Sequence, residues 1–139
     1  MRLIIDNIFL ITVSVFMAIF GYLWYFSLNY LPKARNAARF MAISSIIDAI
    51  YIYEYQGNDI SDLIGREESE ICDSRQGECG LGGLDISAVY GFNVNAPRDP
   101  FTNNANVGKT GFYIKKENNG RLMVTAPLAE KNAVIQIIK

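Results

Sequence analysis

The two cysteines are the residues whose chemistry depends most on their spacing. Cys72 and Cys79 are the only cysteines of the sequence and lie in the hydrophilic stretch ICDSRQGECG. Such a pair can close a small disulfide loop, which stabilises a fold by about 2–3 kcal/mol on the chain-entropy estimate. Metal binding is the alternative, but two thiolates in a sequence without histidine supply only half of a zinc site. We therefore predict a disulfide and an oxidising compartment.

Oxygen-bearing side chains are concentrated in the run DPFTNN, which begins at Asp99. Asp99, Asn103 and Asn104 form a candidate calcium site, because hard cations prefer oxygen ligands. The alternative, which we favour, is that Asp, Asn and Pro simply build turns here. Asp99 and Glu130 are otherwise isolated acids, with no partner suggested by the sequence. We predict no metal and no cofactor.

Other chemical signatures are missing from the sequence. It contains no GxSxG, Walker-type loop, GxGxxG or paired-cysteine metal motif. The lack of histidine removes the commonest general base. The net charge is −1 and no basic run exceeds two residues, which argues against nucleic-acid binding. We expect a protein that is not an enzyme and has no catalytic residues.

The elements that position these residues begin with an apolar N-terminal segment. No residue from Asn7 to Pro32 is charged, and a helix of that length extends about 39 Å, against roughly 30 Å of hydrocarbon in a bilayer. Aromatic residues gather at its C-terminal end, as at a membrane interface. A signal peptide has a shorter apolar core and small residues at its cleavage site. We predict a transmembrane helix segment over residues 1–32.

The charges that flank this segment and the predicted disulfide indicate opposite orientations of the segment in the membrane. Arg2 is the only basic residue before it, whereas Lys33, Arg35 and Arg39 follow. The positive-inside rule alone places the following domain in the cytoplasm. A disulfide places it outside. We favour a single-pass cell membrane protein with an extracytoplasmic domain over residues 33–139.

The domain begins with an amphipathic helix over residues 33–56, continuous with the span and kinked at Pro32. Its predicted face consists of residues at steps of three and four: Ala37, Phe40, Ile43, Ile47, Ile50 and Glu54. Residues 57–86 are predicted to form a disulfide-containing loop, and residues 87–139 a sheet.

Strand signals within 87–139 favour an antiparallel sheet of three or four strands. Phe112–Lys116 and Leu122–Ala126 flank Asn118-Asn119-Gly120, which suits a hairpin turn. Val134–Ile138 is predicted as the last strand, and Val89–Val94 is a weaker candidate. The predicted class is α+β, with a long N-terminal helix, membrane-spanning in its first half, packed on this sheet.

In this order the parts resemble a type IV pilin or pseudopilin, in particular a small bacterial pilin. KARNAAR at 33–39 followed by IIDAI at 46–50 resembles the family's KARDAAR…ALE pattern. PRDP at 97–100 resembles its P-x-DP turn, and GFYIKK at 111–116 with GRLMVTAP at 120–127 is similar to its hairpin. The family's glutamate early in the apolar stretch is missing, since position 5 is Ile5. We expect either that a leader has been removed before Met1 or that the chain is not processed in the usual way.

The resemblance implies a structural subunit of a type IV pilus-like fimbrium, a helical polymer at the cell surface with apolar helices bundled in the filament core. The implied partners are identical or related pilin subunits, inner-membrane assembly machinery with a separate ATPase, and membrane lipid before assembly. A pseudopilin of a secretion or DNA-uptake system, or a lone membrane-anchored binding or adhesion domain, are the alternatives. Asp6 and Pro32 are the expected assembly residues. Asp6 is expected to pair with a neighbouring subunit's terminal amine, because an acid in hydrocarbon is costly unless paired. The alternative is that Asp6, so close to the chain end, lies hydrated at the membrane interface and has no role in assembly.

Overall fold

The computed structural model describes residues 2–60, 64–80, 82–90, 94–102 and 108–139, with side chains described from Ile8 onward. The chain divides into two compact units, Met1–Ala34 and Arg35–Lys139. Within these described ranges one helix precedes five strands, which confirms the predicted α+β class with a long N-terminal helix. The elements are α1 (Arg2–Tyr55), β1 (Ser69–Cys72), β2 (Leu84–Asp85), β3 (Lys109–Lys116), β4 (Leu122–Thr125) and β5 (Gln136–Ile138).

The first unit is an apolar stretch of α1 whose side chains are open to the surroundings. Its large hydrophobic side chains between Ile8 and Leu31 are 41% to 72% exposed. The hydroxyls of Thr12 and Ser14 donate to carbonyls of the preceding turn, Thr12 to Ile8 at 2.7 Å and Ser14 to Ile11 at 2.9 Å. Mean hydropathy reaches 2.0 with none of that window buried, and this is the one candidate span among the described residues. The helix is long and apolar enough to cross a membrane, which is consistent with single-pass anchoring.

The end of α1 lies close to where the sequence predicts it. The helix continues through Pro32 and ends at Tyr55. Gly57 follows in the left-handed region with φ +87° and donates its amide to the carbonyl of Glu54 at 2.9 Å. Glycine adopts this conformation without a steric penalty, so it terminates the helix as predicted.

The buried face of α1 in the second unit differs from the predicted one. Ile43, Ile46, Ile47 and Ile50 are 0% exposed, whereas Phe40 is 54% exposed. Ala37 is exposed as well. The inclusion of Ala37 and Phe40 in the stripe is wrong because Arg39 occupies the next position on that face, one turn before Ile43.

The predicted hairpin is confirmed and forms the centre of the sheet. β3 pairs antiparallel with β4, with Lys116 opposite Leu122. Gly120 has φ +82°, as a turn between two strands requires of one of its residues. β5 pairs antiparallel with β4 but is shorter than predicted, since Val134 lies outside it and is 82% exposed.

Two short strands make the sheet larger than the predicted three or four antiparallel strands. The strand order is β2-β1-β3-β4-β5, with β1 antiparallel to β3 and parallel to β2. The description of 57–86 as a loop is therefore wrong in part. β1 and β2 have four and two residues, too few for a period-2 pattern to be recognised, and distant pairing with β3 specifies them. Val89, Tyr90 and Val94 are not in a strand, and residues 91–93 lie outside the described ranges.

The core of the second unit lies between α1 and one face of the sheet. The isoleucines of α1 pack there with side chains from every strand of the sheet, including Phe112 and Ile114 of β3 and Val124 of β4. Burial of such side chains is the main favourable term in folding. The core therefore fixes the second part of α1 on the sheet. The polar contacts of the candidate site lie at the beginning of this part of α1.

Candidate functional site: an ionic cluster around Arg39

A buried ion pair joins α1 to the segment that precedes β3. Nε of Arg39 donates to Oδ2 of Asp99 at 2.6 Å, and Nη2 donates to Oδ1 at 3.1 Å. Both side chains are 0% exposed, although the partners lie 60 residues apart in the chain. A two-point contact of this kind fixes orientation as well as distance. Arg39 therefore determines how the 97–102 segment sits on the helix.

Glu130 joins the same cluster from the C-terminal segment. Nε and Nη2 of Arg35 each donate to one Glu130 carboxylate oxygen at 2.6 Å, and Nη1 of Arg39 donates to that carboxylate at 3.2 Å. Asn36 donates to the carbonyl of Glu130 at 2.9 Å and accepts from its amide at 3.0 Å. Three residues within about one turn of α1, Arg35, Asn36 and Arg39, thus hold Glu130 by both its side chain and its backbone.

An aromatic ring covers part of the cluster. The Cζ atoms of Arg35 and Arg39 lie 4.7 Å and 5.2 Å from the centroid of Phe101. A guanidinium over an aromatic face gains about 0.5–2 kcal/mol, with the larger values where water is excluded. Phe101 therefore shields the ion pairs and adds a contact between α1 and the Asp99 segment.

Asp99 also organises the turn in which it lies. Its Oδ1 accepts from the amide of Phe101 at 2.8 Å, and its own amide donates to the carbonyl of Thr110 at 2.8 Å. Gly111 has φ +79°, and a Cβ there would lie 2.3 Å from Oγ1 of Thr102. Only glycine allows β3 to approach the turn this closely. The PRDP sequence and Gly111 therefore act together to present Asp99 to Arg39.

The cluster stabilises the charged form of its members. The hydrogen bond to Asp99 raises the pKa of Arg39, although burial opposes this. The hydrogen bonds from Arg35, followed by those from Arg39, lower the pKa of Glu130 from its ordinary 4.5 to about 2. These shifts favour the charged forms of Arg39 and Glu130 at neutral pH.

The description of Asp99 and Glu130 as isolated acids is wrong. One sequence signal pointed to the pairing: Arg39 is in line with Ile43, Ile46 and Ile50, at steps of three and four. An arginine on a buried stripe requires an acid from elsewhere, because an unpaired buried charge is too costly. The identity of that acid depends on the tertiary fold, which brings residues 99 and 130 to the same helix face.

The candidate calcium site at Asp99, Asn103 and Asn104 is partly outside the described residues. Asn103 and Asn104 belong to the range 103–107, which the structure does not describe. Asp99 is described, and both of its carboxylate oxygens accept from Arg39. A guanidinium at this distance competes directly with a cation for the same oxygens. Asp99 is thus committed to an ion pair.

Cys72 and Cys79 are joined in the predicted disulfide, with their Cα atoms 5.6 Å apart. Cys72 is the last residue of β1, so the bridge ties a loop to the sheet. Asp85 lies near both sulfurs, but a disulfide offers no thiolate to a metal. The bridge therefore acts as a covalent brace of this loop.

A second buried acid, Asp73, supports the loop within the disulfide. Nε and Nη2 of Arg75 each donate to one of its oxygens at 2.8 Å, and the amide of Ala96 donates at 3.0 Å. Burial alone would raise the pKa of Asp73, but these bonds and one from Gln76 hold it well below its ordinary range. The loop is thus fixed by a charge-assisted network in addition to the disulfide.

The expected assembly residues are less fully described. Pro32 lies inside α1, and the side chain of Asp6 is outside the described side chains. The expectation that the chain is not an enzyme stays a prediction. Fold and site together define an α+β domain, braced by ion pairs and a disulfide, that follows one helix able to cross a membrane. No known protein family, characterised protein or solved structure matches this chain significantly.

Removal of Arg39 should destabilise the domain strongly. Arg39→Met leaves Asp99 buried without its cation, so the free energy of unfolding should fall by about 3–5 kcal/mol. Arg66→Met is the matched control, because Arg66 is exposed and such changes cost within about 0.5 kcal/mol. The measurement is urea unfolding of the full chain in detergent micelles, followed by the near-ultraviolet circular dichroism of its tyrosines. Equal effects of the two variants would contradict the assigned role of the ion pair.

Acid should weaken the domain partly through Glu130. Its pKa is lower in the folded state than its ordinary 4.5, so its contribution is fully present above pH 4.5 and is lost as the pH falls toward 2. The urea midpoint of the natural chain should decline across this window, and Glu130→Gln should reduce the decline. Glu78→Gln, at an exposed position of the disulfide loop, is the control. The idea fails if Glu130→Gln leaves the slope with pH unchanged.

Proposed function

We propose that this chain is the structural subunit of an extracytoplasmic filament of the type IV pilin kind. The observation that carries the proposal is the division of one helix into two environments. In the first unit the apolar side chains of α1 are exposed on all sides, with none of the most apolar window buried. In the second unit one face of α1 is covered by the chain's own sheet. Such a molecule needs lipid, or the apolar helices of other copies, only around its first part.

The resemblance in sequence coincides with residues that have defined roles in the domain. The KARNAAR segment provides Arg35, Asn36 and Arg39, and the PRDP turn provides Asp99. The GFYIKK and GRLMVTAP segments build the β3–β4 hairpin. The pilin-like segments are thus joined to one another in one network, which supports reading them as parts of a single pattern.

The ionic cluster also supports an extracytoplasmic domain, because it accounts for two of the three basic residues that follow the span. The positive-inside rule weighs Lys33, Arg35 and Arg39 as signals for a cytoplasmic location. Arg35 and Arg39 are paired with Glu130 and Asp99 inside the domain. Their presence after the span therefore has a cause in folding, and the disulfide, which favours an oxidising compartment, is the more informative signal.

In the proposed assembly, subunits wait in the membrane and exchange lipid contacts for contacts between apolar helices. The partners are identical or related subunits, together with inner-membrane machinery that contains a separate ATPase. The direct test is electron microscopy of filaments sheared from cells, with mass spectrometry of their content. Filaments built from this chain support the proposal. Its presence only in the membrane, as isolated subunits, would favour a lone anchored binding domain.

Asp6 should be needed for assembly and not for folding. Its sequence position makes it the only acid near the start of the apolar segment, where an unpaired charge costs roughly 2.5–3.5 kcal/mol when central. If a neighbour's terminal amine pairs with it, Asp6→Ala leaves that amine unpaired in the apolar core and should lower filament yield by up to roughly 100-fold on that scale. Asn7→Ala is the neighbouring control and should assemble. Unchanged yield of Asp6→Ala, or an equal loss in both variants, would count against the pairing.

A further inference from the structure

Within the described part of the chain, one group of three side chains has the composition of a metal site. The Sγ atoms of Cys72 and Cys79 and a carboxylate oxygen of Asp85 all lie within 4.8 Å of one another. The two sulfurs are bonded to each other in this structure, and a thiolate, not a disulfide, is the metal ligand. Reduction of the bridge would leave two thiols beside a carboxylate.

The sheet positions two of these three residues without help from the disulfide. Cys72 of β1 and Asp85 of β2 are register partners in the parallel strand pair. The amide of Ile86 continues the pairing and donates to the carbonyl of Cys72 at 2.9 Å. The distance between the thiol and the carboxylate therefore depends on backbone pairing, which reduction of the bridge leaves intact.

Backbone amides hold the carboxylate of Asp85 in place. Its Oδ1 accepts from the amide of Ser87 at 2.9 Å and from the amide of Ser74 at 3.2 Å. A carboxylate has about four lone-pair positions, so two such bonds leave capacity for a cation. Asp85 is thus oriented before any metal arrives, as the ligands of a metal site commonly are.

The loop that carries Cys79 is also held by contacts other than the bridge. The amide of Asp73 donates to the carbonyl of Gly108 at 2.8 Å, and the amide of Gln76 donates to the carbonyl of Asp73 at 2.9 Å. The Asp73 carboxylate accepts from Arg75 at 2.8 Å. Cys79 follows this turn by three positions, so it should stay close to Cys72 after reduction.

The dimensions of the group suit a tetrahedral cation. Bonds of about 2.3 Å from zinc to sulfur and about 2.1 Å to oxygen place tetrahedral ligand atoms roughly 3.6–3.8 Å apart. The three ligand atoms lie within 4.8 Å of one another, and the Cα atoms of the cysteines are 5.6 Å apart. Rotation of the side chains is therefore enough to reach these separations.

The charges around the sulfurs also favour a dication. Lys109 is the register partner of Cys72 on its other side, and its ammonium is paired with Glu70 at 2.9 Å. A nearby cation favours the thiolate form, which is the form that binds metal. Two thiolates and the Asp85 carboxylate together carry three negative charges, which exceed what Lys109 can neutralise while it is bonded to Glu70.

We propose that the reduced chain binds a thiophilic divalent cation such as Zn²⁺ through Cys72, Cys79 and Asp85, with water as the fourth ligand. A dithiol reductant supplies two electrons and two protons to the bridge and is itself oxidised to a disulfide. Binding of the cation then releases the two thiol protons to solvent. The metal and the disulfide are thus alternative closures of one loop.

The site would be available early in the life of every copy, because cysteines enter a chain as thiols. A cation that joins Cys72 to Cys79 would hold the loop closed until the bridge forms. The inference concerns the domain alone and does not rest on filament formation. It can fail while the proposed function stands, and the reverse is also possible.

The test is a titration of the full chain in detergent micelles with Cd²⁺, after reduction by a phosphine and without oxygen. Cadmium bound to thiolates absorbs in the ultraviolet, and we expect this absorption to saturate at one cadmium per chain and to be absent from the oxidised chain. Added Zn²⁺ should displace the cadmium. Asp85→Asn should weaken binding more than about 10-fold, since even the loss of an outer partner costs 10–100-fold.

Glu78→Gln is the matched control, because Glu78 is an exposed acid beside Cys79 that is not part of the group of three. Its affinity for cadmium should equal that of the natural chain. In Asp85→Asn the amide oxygen can still accept from Ser74 and Ser87, so the strand pairing should persist. Near-ultraviolet circular dichroism of each reduced chain checks the fold.

Four results would overturn the proposal. These are no binding by the reduced chain, one cadmium for two chains, equal binding by the oxidised chain, and equal affinities of the Asp85→Asn and Glu78→Gln variants. If a reduced chain has lost its near-ultraviolet signal, cadmium must restore it, because a ligand that binds only the folded state stabilises that state. A signal that stays lost in the natural chain would also contradict the site.

Discussion

A guanidinium that is buried away from water must be paired with an anion. In this protein the buried guanidinium is that of Arg39, so the loops that pack on the first turns of the domain's helix must supply the anion. Arg39 is 0% exposed and lies on the same face of α1 as the isoleucines of the core. Asp99 meets it from the segment before β3, and Glu130 approaches it from the segment after β4. Two loops that are distant in sequence are therefore bound to one turn of helix. The turn at Asp99 and the close approach at Gly111 position the carboxylate for this contact, and Phe101 lies over the guanidinium groups.

Such a pair contributes more to geometry than to net stability. The cost of removing both charges from water offsets much of their attraction, so well-packed apolar replacements are often as stable. Removal of one partner is different, because the other is left buried and uncompensated. The pair therefore selects one arrangement of the loops and penalises the others. In a chain whose helix continues into an exposed apolar segment, this arrangement keeps the polar loops gathered where the domain begins.

The parts of the fold with strong local patterns were predictable, and those specified by distant contacts were not. The apolar run, the end of α1 at Gly57 and the hairpin around Gly120 follow from composition and from the preferences of glycine. β1 and β2 were missed because strands of four and two residues are specified by their neighbours in the sheet. The cysteine pairing was predictable because the sequence has only two cysteines.

In the ionic cluster, too, the residues with a local sequence pattern could be predicted and the partners brought in by the tertiary fold could not. Its arginines could be found on the face of a helix, and Arg39 interrupts the apolar stripe in a way that calls for an acid. The identity of that acid could not be found, because Asp99 and Glu130 lie in turns where acids are common for local reasons. Phe40 was assigned to the core for a related reason. Hydrophobicity alone favours it over Arg39, and only the paired acids reverse that preference.

The central claim is that Arg39 holds the segment around Asp99 on α1, and amide hydrogen exchange tests it most directly. The amide of Asp99 donates to Thr110 and that of Thr102 donates to Asp99, so both should exchange slowly in the natural chain. In Arg39→Met these two amides should exchange much faster, while those of the β3–β4 pairing between Tyr113 and Thr125 accelerate far less. If the Asp99 and Thr102 amides stay as protected as in the natural chain, or if the whole sheet loses protection equally, Arg39 does not have the local role assigned to it.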